Sequence, residues 1–160
     1  MAVDMFIKIK GIDGESMDDK HKKEIDVLAW SWGASQSGSA HMGGGAGADK
    51  VNVQDLSFTK YIDSASHALL LACCNGEHIG EAVFVVRKAG KDPLEYIKLT
   101  LSDLIVSSIS NGGSGGEDRL TENITLNFAK FKYEYTPQKA DGTGDAVKTA
   151  GWDIPANKKV

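Results

Sequence analysis

The run Gly112-Gly113-Ser114-Gly115-Gly116 satisfies the G-x-S-x-G pattern that presents a nucleophilic serine in hydrolases. That chemistry needs a strand, a tight turn and then a helix. It also needs an acid and a histidine later in the chain. Here a long strand-like segment, 121–135, follows the run, and no histidine occurs after His78. The hydrolase order is therefore impossible, and the run reads as a hairpin loop. It is not a phosphate-binding loop either, because it lacks the Gly-Lys-Ser/Thr ending and no helix follows to aim amides at a phosphate.

The remaining chemical groups do not converge. Cys73 and Cys74 are adjacent, with His78 nearby. A structural zinc site needs four ligands, with cysteine pairs two to four residues apart. Adjacent helical residues point about 100° apart. One buried and one more exposed thiol is expected. His21, His41 and His67 are scattered on or near loops and read as solvated. Asn123-Ile124-Thr125 matches a glycosylation sequon but sits inside a strand pattern. The acidic pairs Asp18-Asp19 and Glu117-Asp118 lie in turn-like sequence with nothing to separate their acidities. No catalytic residue, cofactor or metal site is expected.

Composition narrows the class further. The net charge is −4, against the excess of lysine and arginine that phosphate contacts require, so nucleic acid is an unexpected partner. No stretch approaches the ~20 apolar residues that span a bilayer, and no secretory leader is evident, so the reading is a cytoplasmic chain without membrane insertion. Its 160 residues fit one domain, 1–160, with a polar C-terminal tail at 138–160.

The elements that must position these residues are mostly strands. Val3, Met5, Ile7 and Ile9 alternate with Asp4, Lys8 and Lys10, and only Phe6 breaks the pattern. In 24–33, Leu28, Trp30 and Trp32 share one parity, and Ile25, Val27, Ala29 and Ser31 the other, so both faces need cover. Segments 51–61, 81–88, 96–101, 104–110 and 121–135 are also strand-like. In the last, Ile124, Leu126 and Phe128 give way to Phe131, Tyr133 and Tyr135. That change of parity predicts a bulge near Ala129, or a strand that leaves one sheet to serve another surface. One helix is expected over about 63–75, started by Asp63 or Ser64 and stopped by Asn75-Gly76. Glycine is the outlier, with 18 residues clustered in a few runs, and 33–50 is a long extended Gly-rich loop without periodicity. The fold class is mainly β: a small β-barrel or sandwich of two sheets with one α-helix. Such a chain works either by assembling with copies of itself or as a monomeric β-barrel that binds a small ligand inside.

The sequence resembles the Hcp family, the haemolysin-coregulated proteins of bacterial type VI secretion. The likeness is carried by Val-Asp-Met-Phe-Ile-Lys (3–8), Ala-Trp-Ser-Trp-Gly (29–33), Ser-Gln-Ser-Gly (35–38), 41–45, Asp-Leu-Ser-Phe-Thr-Lys-Tyr-Ile-Asp (55–63), 87–90 and Gly-Gly-Ser-Gly-Gly-Glu-Asp-Arg-Leu-Thr-Glu-Asn (112–123). It is weaker in 10–23, 75–95 and after Lys139. The resemblance implies a non-catalytic subunit that closes into hexameric rings. These rings stack as the inner tube of a contractile injector, with a spike protein at the tip and a sheath outside. It implies small effector proteins carried in the lumen, and export without a signal peptide. On that expectation Ser31 and Ser114 lie near the lumen. Gln36, Ser37, His41, Met42 and Gly43 belong to a loop that reaches an adjacent subunit.

Overall fold

The computed structural model describes residues 2–38 and 50–160. Among these, eleven strands and one helix form: β1 (Val3–Ile9), β2 (Ile25–Asp26), β3 (Ala29–Ser31), β4 (Ala34–Ser35), β5 (Asn52–Val53), β6 (Leu56–Tyr61), α1 (Ser66–Asn75), β7 (Ile79–Lys88), β8 (Glu95–Gly112), β9 (Thr121–Tyr135), β10 (Lys148–Asp153) and β11 (Lys158–Lys159). Nine strands make one antiparallel sheet in the order β11-β10-β9-β8-β7-β1-β2, with β6 on β9 and β3 on β6. The second sheet is only the β4–β5 ribbon at the base of the Gly-rich loop.

The sheet curls nearly onto itself without closing as a barrel. Segment 25–31 spans the gap. Its start pairs with β1, and its end pairs with β6. Between them, the Val27 N–H donates to Met5 O at 2.9 Å and the Leu28 N–H to Thr59 O at 2.8 Å. The segment changes partners at Val27–Leu28, and its buried parity changes there too. Ile25 and Val27 are buried, Leu28 is 40% exposed, and Trp30 and Trp32 pack against the core. The expected grouping of Leu28 with the tryptophans is thus corrected.

A comparable change runs across three neighbouring strands. Buried positions are Ile79, then Ala82, Phe84 and Val86 in β7; Leu99 and Leu101, then Leu104 and Val106 in β8; Ile124, Leu126 and Phe128 in β9, followed by the half-buried Phe131 and Tyr133. The switch falls at one level, since Leu101 pairs with Ala82 and Phe131, and Leu104 with Ile79 and Phe128. Asp103 sits on this crease at φ 54, which lets the backbone turn its side chains over. β9 therefore needs no bulge near Ala129. Its register with β8 runs unbroken from Lys130 to Leu126, and the shift falls in β8 between Val106 and Ser108. Nor does β9 leave its sheet; it exchanges one edge partner for another within it. Thr121–Leu126 pair with β6, and Lys130–Tyr135 pair with β10.

Residues 138–160, read as a tail, supply β10 and β11, with Trp152 paired to Phe131. The helix is shorter than expected. Asp63 does not cap its first turn; its Oδ1 accepts from the Ala65 N–H at 2.9 Å, and Ala65 stands at the N-cap. Gly76 ends the helix in the left-handed conformation at φ 65, where a side chain would be strained. Leu69 and Ala72 are buried, and α1 packs on β8. Cys73 is half-buried rather than buried, and Cys74 is the more exposed thiol, as expected.

Candidate functional site

The core occupies one face of the β3-β6-β9-β8 portion of the sheet, through Leu56, Phe58, Ile124 and Leu126, all at most 1% exposed. Side chains alternate across a strand, so the intervening positions form the opposite face. Register aligns them in rows. Ser31 pairs with Ser57, Ser57 with Thr125, and Thr125 with Ser108. Ala29, Thr59, Asn123 and Ser110 form the next row. The outcome is a surface of small, uncharged polar groups, with no lysine or arginine in either row.

Several of these groups, with the adjoining Asp55, Ser107 and Asn127, bond to one another. Thr59 Oγ1 donates to Asn123 Oδ1 at 2.6 Å. Ser107 Oγ donates to Asp55 Oδ2 at 2.7 Å, and Asn127 Nδ2 donates to Asp55 Oδ1 at 2.8 Å. Thr125 Oγ1 lies 2.7 Å from Ser107 Oγ and 2.6 Å from Ser108 Oγ. The β8 bulge places two consecutive serines within reach of one threonine.

Sequence reasoning located one member of this face, Ser31. Ser114 lies outside it, in the hairpin loop beyond the last β8–β9 pair, Gly112–Thr121. There its backbone carbonyl accepts from the Glu117 N–H at 3.2 Å. The strand β9 follows, as the argument against a nucleophile elbow required. Gln36 and Ser37 are exposed just after β4, and Gln36 lines an open groove of about 450 Å³ with Val51, Phe131 and Trp152. His41, Met42 and Gly43 lie outside the described residues. The missed members, Ser57, Thr59, Ser107, Ser108, Ser110 and Thr125, had a signal: hydroxyls alternating with buried apolar residues. What the alternation does not carry is which strands lie side by side.

Two charged clusters pin the elements around this face. Lys60 and Glu122, both fully buried, form an ion pair. Lys60 Nζ also lies 2.8 Å from Asp63 Oδ1, and Ser66 Oγ donates to Glu122 Oε1 at 2.6 Å. The cluster ties β6, β9 and the start of α1 together, and removing one member of such a pair costs about 3–5 kcal/mol. Opposite, Arg87 spans Asp18 at 2.6 Å and Asp4 at 3.1 Å, fastening the 10–24 loop to the sheet. His21, expected to be solvated, is buried in this clasp. It stacks on Phe6 at 4.4 Å and lies 2.9 Å from Glu24 and 2.7 Å from Glu95.

The interior is filled by side chains, and the organised surface is a broad neutral sheet face. The model of the family "Type VI secretion system effector, Hcp" matches residues 6–135. The chain belongs to the Hcp family of type VI secretion proteins. It is 61% identical over 159 residues to protein hcp1 of Pseudomonas aeruginosa, covering 98% of each. Among solved structures it is similar to Hcp1 from Salmonella typhimurium, with 48% identity, a TM-score of 0.83 and complete coverage of both chains. A structure titled as a type six secretion system protein gives 33% identity and a TM-score of 0.94, over 99% of this chain and all of the other. A type VI secretion system effector from Yersinia pestis gives 40% identity and a TM-score of 0.78, over 94% of this chain and all of that one.

Proposed function

We propose that this chain is the ring-forming subunit of a type VI secretion inner tube. Copies close head to tail into hexamers, the hexamers stack, and the neutral face from Ser31 to Ser108 lines the lumen. A closed ring requires a heterologous interface that returns on itself. The observation that carries the reading is the row Ser31-Ser57-Thr125-Ser108. A conduit wall needs small, self-satisfied side chains that offer passing proteins no deep pocket and no dense charge. The partners on this reading are further copies of the chain, a spike at the tube tip, a contractile sheath and small effector proteins inside. The chain is made in the cytoplasm and leaves by that apparatus. Gln36 and Ser37, exposed just after β4, meet the adjacent subunit or ring.

Light scattering behind size-exclusion chromatography, with electron microscopy of the same fractions, tests this. The expected result is a hexamer with a central opening. A strictly monomeric protein at high concentration overturns the reading.

A further inference from the structure

Three hydroxyls of this face, on Ser107, Thr125 and Ser108, have a fixed direction. A carboxylate oxygen accepts, so the single Ser107 hydroxyl proton goes to Asp55 Oδ2. Ser107 Oγ must then accept from Thr125 Oγ1, its neighbour at 2.7 Å. Thr125 has no second proton, so the 2.6 Å contact with Ser108 Oγ is completed by the Ser108 proton. The chain runs one way: Ser108 to Thr125 to Ser107 to Asp55. Asn127 spends one amide proton on the same carboxylate. Every hydroxyl proton in the chain is committed, and what remains available to a visitor at these three oxygens is lone pairs. Asp55 itself has no cation within ion-pair distance among the described residues. A cluster of this kind could serve packing alone. Yet it sits on an exposed face, with Ser107, Ser108 and Asn127 exposed, and the β8 bulge delivers Ser107 to it.

We propose that Asp55, acting with the oriented Ser107–Thr125–Ser108 chain, makes this face selective for hydrogen-bond donors, so that it takes protein segments rich in lysine and arginine and disfavours acidic ones. The inference rests on the reading of this face as the wall that cargo meets. One carboxylate per copy, repeated around an assembly, supplies a band of negative charge on an otherwise neutral wall. Exposed single charge pairs are weak and screened by salt, so the selectivity is graded.

The test uses the full-length purified chain and two fluorescent peptides of equal length, one Lys/Arg-rich and one Glu-rich, read by anisotropy. Oligomeric state is measured in the same samples by light scattering. The basic peptide is expected to bind, with affinity falling as salt rises, and the acidic peptide not to bind. Asp55→Asn, which keeps shape and loses charge, is expected to weaken the basic peptide about three- to fivefold while the oligomer persists. Ser107→Ala keeps the charge but frees the hydroxyl chain, and is expected to weaken it less, about twofold. Equal binding of the two peptides, or unchanged binding in Asp55→Asn oligomers, overturns the inference and leaves the tube reading standing. Absence of oligomers in the unaltered chain overturns the tube reading instead. If Asp55→Asn does not fold, the salt dependence and the Ser107→Ala comparison decide on the same criteria.

Discussion

Arg87 joins hydrogen bonding to charge in holding its cluster together. Its guanidinium donates to both oxygens of Asp18, at 3.0 and 2.6 Å, and lies 5.1 Å from the centre of the Phe6 ring. The hydrogen bond from Arg87 is the largest influence on Asp18 and holds its carboxyl well below the usual value, at about 2. The folded carboxyl is thus a stronger acid than the unfolded one at 3.8. Its stabilisation is complete above the unfolded value and disappears as pH falls through about 2. Asp18→Asn is therefore expected to lower stability at pH 6, with the gap from the unaltered protein narrowing between about pH 4 and pH 2. Urea denaturation at a series of pH values checks this, and a gap that does not depend on pH would refute it. None of this clasp was legible in the sequence. Asp18 and Arg87 are far apart in the chain, and His21 looked solvated because its neighbours Lys20, Lys22 and Lys23 are polar. Stacking on Phe6, which broke the alternation of β1, is what buries it.

The crease is a property of β7, β8 and β9 together. Three strands change their buried parity at one level, so each has two consecutive residues outside the core there. β8 absorbs the turn at Asp103, a non-glycine residue at φ 54. Aspartate tolerates that conformation better than most, whereas a β-branched residue does not. Asp103→Val is expected to cost about 1–3 kcal/mol, and Asp103→Asn almost nothing. The pair separates backbone strain from the exposed His78–Asp103 contact at 3.4 Å, which contributes little. Chemical denaturation of both variants checks it; a Val variant as stable as the parent would remove the strain argument. Single strands were legible, and Thr121–Tyr135 was bounded correctly because strand-like residues run without a breaker up to Pro137. The parity change in β9 was visible too. Its cause was not, because a crease shared by three strands resembles a bulge when one strand is read alone. The same limit split β8 into two expected strands at Ser102–Asp103.

At the scale of the whole molecule, the chain keeps charge off two neighbouring rows of one face, with Asp55 at their border. Its net charge is −4, and lysines and acids are spread over the other surfaces, while the rows from Ser31 to Ser108 and from Ala29 to Ser110 carry none. Local sequence marks each row only as polar. The family resemblance is what suggested that polar residues such as Ser31 face a lumen, and strand order is what assembles them into a wall. Ser57 is the most informative place to test that wall. It is half-buried between Ser31 and Thr125, and its neighbours Leu56 and Phe58 hold the core from the other side. Tyrosine suits a strand, and a substitution on the outward face leaves the core intact, so Ser57→Tyr is expected to change stability by no more than about 0.5 kcal/mol. If the parent chain forms the proposed hexamers, the variant is therefore expected to form them too. If the face lines the channel, electron cryomicroscopy will show six added phenol rings projecting into a narrower central opening. Density for them on the outer rim, or buried between subunits with the opening unchanged, would assign the face to a different surface.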